Sequence, residues 1–189
     1  MSASGLGSAL SAGVRAIPAA EASNAASPEL TTFPLRMKRL SALFQGHYTI
    51  GPSRAPGFAT QLYMNGGGNS TAFYHADIQL AVQTPADPSF PSLGTASLST
   101  RSSSDSGDQL ILDFQAVPGA VDVRGRPTHF TWTVSQNSGG SFADGQGSGT
   151  MQFIYLPGNK LPRGALAAGK LGVVIRGQVS VNPINSLVW

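Results

Sequence analysis

Residues 72–82 read AFYHADIQLAV, and their alternation decides the fold. Tyr74, Ile78 and Leu80, with Ala72, Ala76 and Val82, fall on one side of an extended chain. Phe73, His75, Asp77 and Gln79 fall on the other. Successive side chains of a β-strand point to opposite faces, so this period of two predicts a half-buried strand. Downstream, Gln109–Ala116 repeats it, with Leu110, Leu112 and Phe114 opposite Gln109, Ile111, Asp113 and Gln115. Thr128–Gln136 repeats it again, with Phe130, Trp132 and Val134 opposite Thr131, Thr133 and Ser135.

Working outward, five weaker strands are expected at Ala42–Ile50, Phe58–Met64, Thr95–Thr100, Thr150–Leu156 and Leu171–Val181. Turn residues separate them: Asn65-Gly66-Gly67-Gly68-Asn69, then Pro85, Pro88 and Pro91, then Ser106-Gly107-Asp108, then Asn137-Ser138-Gly139-Gly140. Gly and Asn tolerate the backbone of tight turns better than bulkier residues. The reading is an all-β chain of about eight antiparallel strands, in a barrel or a sandwich. Residues 1–39 form a low-complexity, extended N-terminal arm, and 40–189 a single β-barrel-like domain.

The composition agrees. Only 11% of the 189 residues are charged, while 41% are hydrophobic, and the chain carries 23 Gly and 13 Pro. An average globular protein has roughly 25% charged residues. Few charges and many turn formers suit strands better than exposed helices. The absence of Cys excludes disulfides, thiolate metal sites and thiol catalysis. The net charge is +3, and the cations are scattered except for Arg36, Lys38 and Arg39. Nucleic-acid binders concentrate cations where phosphates lie, so no nucleic-acid partner is expected. No apolar run approaches the ~20 residues of a membrane-spanning helix. Residues 1–30 lack the charged and apolar regions of a recognisable signal peptide.

The most specific pattern spans residues 128–178: THFTWTVSQNSGGSFADGQGSGTMQFIY, a loop, then GKLGVVIRG. A strand leads to a glycine turn, a lone aromatic, a Gly-rich bend and a Gly-x-Gly-Thr that opens the next strand. The residues are Gly139, Gly140, Phe142, Gly145, Gly147, Gly149 and Thr150. Upstream, Gly94-Thr95-Ala96-Ser97-Leu98 and Gly107-Asp108-Gln109-Leu110 form a matching hairpin. This arrangement resembles bacterial Gly-rich β-barrel proteins of the allene oxide cyclase-like and dirigent-like pattern. The resemblance implies a barrel and no catalytic residue, since its motif is structural glycines. Phe142 is expected to plug a barrel end or cover a hairpin, and Gly145, Gly147 and Gly149 to bend the chain into the next strand. Asn137-Ser138 departs from the commoner Gly-Thr, and the loop Pro157–Lys170 is long.

His75, Asp77 and His129 could meet on neighbouring strands as imidazole and carboxylate metal ligands, but no HxH or HExxH spacing supports them. Asp77 and Asp113 are the carboxylate pair open to general acid–base work, with solvated strand faces as the bland alternative. There is no G-x-S-x-G elbow and no phosphate loop. Asn69-Ser70-Thr71 is a formal glycosylation acceptor. Trp189 ends the sequence as outer-membrane strands do, yet Asn182-Pro183 interrupts that segment.

The expected function is a non-catalytic structural or interaction subunit, secreted, at the cell surface or part of a larger assembly. It would use the arm and exposed sheet edges to meet protein partners or further copies, without cofactors. One alternative is a barrel that binds a small apolar ligand, with cyclase- or isomerase-like activity. Its lining would be Tyr48, Tyr74, Phe114, Phe130, Trp132, Phe153 and Tyr155. Another is a viral jelly-roll coat protein, against which stands the single Arg15 before residue 36.

Overall fold

The computed structural model describes residues 36–100, 108–158 and 160–181. The arm up to residue 35, Asp105 and Trp189 lie outside the described residues. Eight strands follow in order: β1 (Arg36–Pro52), β2 (Phe58–Ser70), β3 (Ala76–Pro85), β4 (Leu93–Thr100), β5 (Gln109–Ala116), β6 (His129–Val134), β7 (Gly147–Pro157) and β8 (Ala167–Val181). One 3-10 turn, Gly140–Phe142, lies between β6 and β7. Each strand pairs antiparallel with the next, and β8 pairs back onto β1 from Arg36↔Val181 to Ile50↔Ala167. Of the two architectures open from the sequence, the chain adopts the closed barrel.

Alternation builds the wall. Ala76, Ile78, Leu80 and Val82 of β3 point inward and are buried, as are Leu110, Leu112, Phe114 and Ala116 of β5. An eight-stranded barrel is just wide enough for such side chains to fill it. Leu40, Phe44, Met64, Leu98, Met151, Val173 and Ile175 join them in one continuous core, each at most 1% exposed. Inward glycines set how closely the strands wrap. Gly46 faces Gly66 across β1 and β2, and Gly149 faces Gly177 across β7 and β8. A Cβ on any of these would collide with the facing backbone.

Several expectations are corrected. Asn65-Gly66-Gly67-Gly68-Asn69 is not a turn but the second half of β2, paired throughout with β1 and, as far as Gly68, with β3. The turn lies beyond it, at residues 71–75, where the Thr71 hydroxyl accepts from Ser41 N at 2.9 Å and donates to the Arg39 carbonyl at 2.8 Å. The period-two reading of 72–82 therefore fails over its first four residues. Phe73 is buried and Tyr74 is 84% exposed. Gly147 and Gly149 lie inside β7 rather than at a bend, and close approach to β8 is what requires them. The bend uses Gly140 (φ 62) and Asp144 (φ 57) instead. Arg36–Arg39 belong to β1 and not to the arm.

Closure also removes any open sheet edge, so strand addition at an edge of this sheet is no longer a route to partners. The sequential order contains no Greek-key crossover, which rules out the jelly-roll topology. Outward positions carry Gln45, Gln61, Gln79, Gln115, Gln152 and Gln178 among Ser, Thr and Asn, with Leu43, Tyr63, Leu93, Ile154 and Leu156 interspersed rather than forming a continuous band. A hydrocarbon slab would penalise such a wall, unlike the apolar belt of a transmembrane barrel. Among the described residues no helix is long and apolar enough to cross a membrane.

Candidate functional site

The two ends of the barrel are closed differently. At the end formed by the start of β1 and the end of β8, Phe142 is buried against Phe73, ring centroids 5.1 Å apart. The 3-10 turn that presents it is held by Asp108, whose carboxylate accepts from Ser141 N at 2.6 Å. Phe142 is thus packed at a barrel end, while the sequence left open a barrel end or a hairpin.

At the other end a hairpin over residues 117–128 folds across the opening. Asp122 organises it. Its Oδ1 accepts from Arg124 N and Arg126 N, both at 2.9 Å, and Gly125 (φ 74) completes the turn. Its Oδ2 accepts from the Arg126 guanidinium at 2.8 and 2.5 Å. Arg126 then reaches into the barrel mouth. It donates to the Tyr48 hydroxyl at 2.8 Å and stacks 4.1 Å from the centroid of Tyr155. The Tyr155 hydroxyl donates to the Pro127 carbonyl at 3.1 Å. Burial pulls the Asp122 carboxyl upward, but the hydrogen bonds and charge of Arg126 outweigh it and hold the group below the usual carboxylate range. Burial raises the Tyr155 phenol well above its ordinary value. The cluster is mutually satisfied, and it locks the hairpin onto the barrel.

Between these ends the aromatic residues stack on one another. Phe114 meets Phe130 at 5.2 Å, Phe130 meets Phe153 at 4.4 Å, and Tyr48 meets Tyr155 at 5.4 Å. Trp132 donates from Nε1 to the Thr150 carbonyl at 3.0 Å. Six of the seven residues named as ligand lining therefore converge inside the barrel, as packed core. Tyr74 does not: it sits outside, in edge contact with His75 at 4.8 Å.

The residues named as metal ligands are not brought together. His75 lies in the turn before β3, Asp77 faces outward on β3, and His129 faces outward on β6, three strands further round. Nor do Asp77 and Asp113 approach, since β4 separates their strands and they pair with different rows of it, Ser99 and Thr95. Among the described residues no group of three His, Cys, Asp or Glu could hold a metal ion. Asn69, the last residue but one of β2, is exposed, its side chain 3.0 Å from His75 Nδ1.

No protein-family model, curated protein or solved structure matches the chain.

A second polar grouping lies on the outer wall. Register places Asn65 of β2, His47 of β1 and Lys170 of β8 side by side in one outward row. The segment after β7 rises beside them and brings Lys160 to the same cleft, whose volume is about 720 Å³. Thr49 and Pro157 complete its polar and apolar walls. Sequence reading missed this grouping, because it exists only once β8 has closed onto β1. It also missed the hairpin lock, although Asp122 four residues before Arg126, around Gly125, is a legible turn signature.

Proposed function

We propose that the chain is a non-catalytic interaction subunit that works through its outer surface. We also propose that the chain is related to the Gly-rich bacterial barrels of the allene oxide cyclase-like and dirigent-like pattern, on the pattern of residues 94–178. The observation that carries the reading is the filled interior. The inward aromatics occupy one another's surroundings, and the polar groups at the mouth are bonded to each other. A ligand entering the barrel would have to displace Phe130 and Phe153, each at most 2% exposed, and break the Arg126 contacts. Burying one such aromatic contributes roughly 1.5–3 kcal/mol, so that displacement is strongly opposed. The low-charge wall of Gln, Ser and Thr suits a surface or extracellular setting.

A fluorescent fatty acid, cis-parinaric acid, tests this. No saturable uptake is expected, with Trp132 emission unchanged in a Trp189→Phe background. Uptake of one equivalent that quenches Trp132 would overturn the reading in favour of a ligand barrel. Light scattering over a range of concentrations tests self-assembly. A strict monomer throughout would remove copies of this chain as the partner.

A further inference from the structure

We infer that the outer cleft across β2, β1 and β8 binds an anionic group carried on a polyhydroxylated body: a uronate, or a sulfate or phosphate ester of a saccharide. The inference deepens the reading of the chain as a module that acts through its outer surface, and it rests on that reading.

Charge placement is the first argument. His47 and Lys170 are direct partners across β1 and β8, and Lys160 lines the same cleft. Lys160 and Lys170 bring two formal positive charges to this one cleft. This chain has only 12 Lys and Arg, and an outer wall that is mostly uncharged over which to spread them. It instead gathers two lysines and a histidine in one cleft that no carboxylate lines. A bound anion offsets that arrangement.

Donor chemistry is the second argument. The Lys170 and Lys160 ammonium groups, the His47 ring N–H, the Asn65 amide and the Thr49 hydroxyl can all donate. Such a set suits oxygen acceptors carrying negative charge, and hydrogen bonds to charged partners are the stronger kind. Asn65 and Thr49 can also accept, as sugar hydroxyls require. Tyr63, two residues before Asn65 on the same outward face of β2 and 53% exposed, offers a flat apolar face beside them.

Size is the third. About 720 Å³ falls in the range of roughly 300–1,000 Å³ typical of small-ligand sites. Two lysines in one recess cannot follow a nucleic-acid backbone, whose binding grows with each phosphate neutralised along a track.

The test is calorimetric titration of the full chain with a sulfated disaccharide, a glucuronate-containing disaccharide and glucose 6-phosphate, with maltose and inorganic phosphate as comparisons. Binding of at least one anionic saccharide is expected, at least tenfold tighter than maltose and than inorganic phosphate. Lys170→Gln should weaken it at least tenfold and His47→Gln several-fold. Lys38→Gln/Arg39→Gln, at the β1 start, should leave it unchanged. Thermal unfolding of each variant checks that the barrel is intact. Three results would overturn the inference: no binding of any anionic saccharide; inorganic phosphate binding as tightly as the saccharide esters; or equal weakening by the Lys38→Gln/Arg39→Gln control. None of them touches the filled-interior reading, which fails only on uptake of the apolar probe.

Discussion

Gly149 shows how much one missing side chain decides. It lies within β7 opposite Gly177, and the Trp132 ring covers both. A Cβ built on Gly149 meets Trp132 Cζ2 at 2.6 Å and the Arg176 carbonyl closer still. Neither a backbone carbonyl nor a buried, hydrogen-bonded indole can yield cheaply. Gly149→Ala should therefore cost about 2 kcal/mol, the usual scale of overpacking. Gly172, outward on β8, makes the control, since its Cβ would meet nothing nearer than Ile154 Cβ at 3.6 Å. Gly172→Ala should stay within about 0.5 kcal/mol of the parent. Urea unfolding of the two variants checks the pair, and equal losses would show that Trp132 does not set the limit. Residue types alone predicted bends at Gly147 and Gly149. They could not distinguish a glycine needed for its dihedral freedom from one needed because a neighbouring strand passes close by.

At the scale of elements, the hairpin of residues 117–128 does the work of a lid that stays shut. It rests on one carboxylate, which accepts two backbone N–H groups and the guanidinium of Arg126. Asp122→Asn leaves the partly buried Arg126 without its counter-charge, and should cost about 2 kcal/mol, below the 3–5 of a fully buried pair. The pH dependence has a definite sign. The folded-state pKa of Asp122 is lowered, so its stabilisation is present above the unfolded value of about 4 and is lost as pH falls through the folded value. Melting temperatures of the parent and Asp122→Asn should differ at pH 7 and converge in acid, as the folded-state carboxylate is protonated. A constant difference down to pH 2 would assign the effect to shape and not to charge. The strands themselves were partly legible. β5 matched its predicted bounds, because eight residues of unbroken alternation leave no other period. β2 was cut short at its glycines, because Asn and Gly signal turns locally, while here register with β1 and β3 overrides that signal.

For the whole molecule, the decisive contact is β1 against β8, which joins the two ends of the described chain along fifteen residues of register. Removing residues 167–181 should open the barrel, expose the edges of β1 and β7, and lay bare Phe44 and Phe153. The truncated chain is expected to lose its cooperative unfolding transition and to aggregate, as scattering and calorimetry would show. A cooperative, monomeric truncate would mean that the sheet does not need closure. Folding should be slow for its size, in milliseconds to seconds, because this pairing is the least local of all. The sequence by itself determined what depends on near neighbours: an all-β chain and strand alternation in its central elements. Only the tertiary structure decided what depends on distant ones. Closure chose barrel over sandwich, turned six predicted lining aromatics into packed core, and dispersed the three proposed metal ligands. It also set His47 beside Lys170. The physical reason is that side-chain period is a property of consecutive residues, whereas register, closure and the company a side chain keeps arise from strands far apart in the chain.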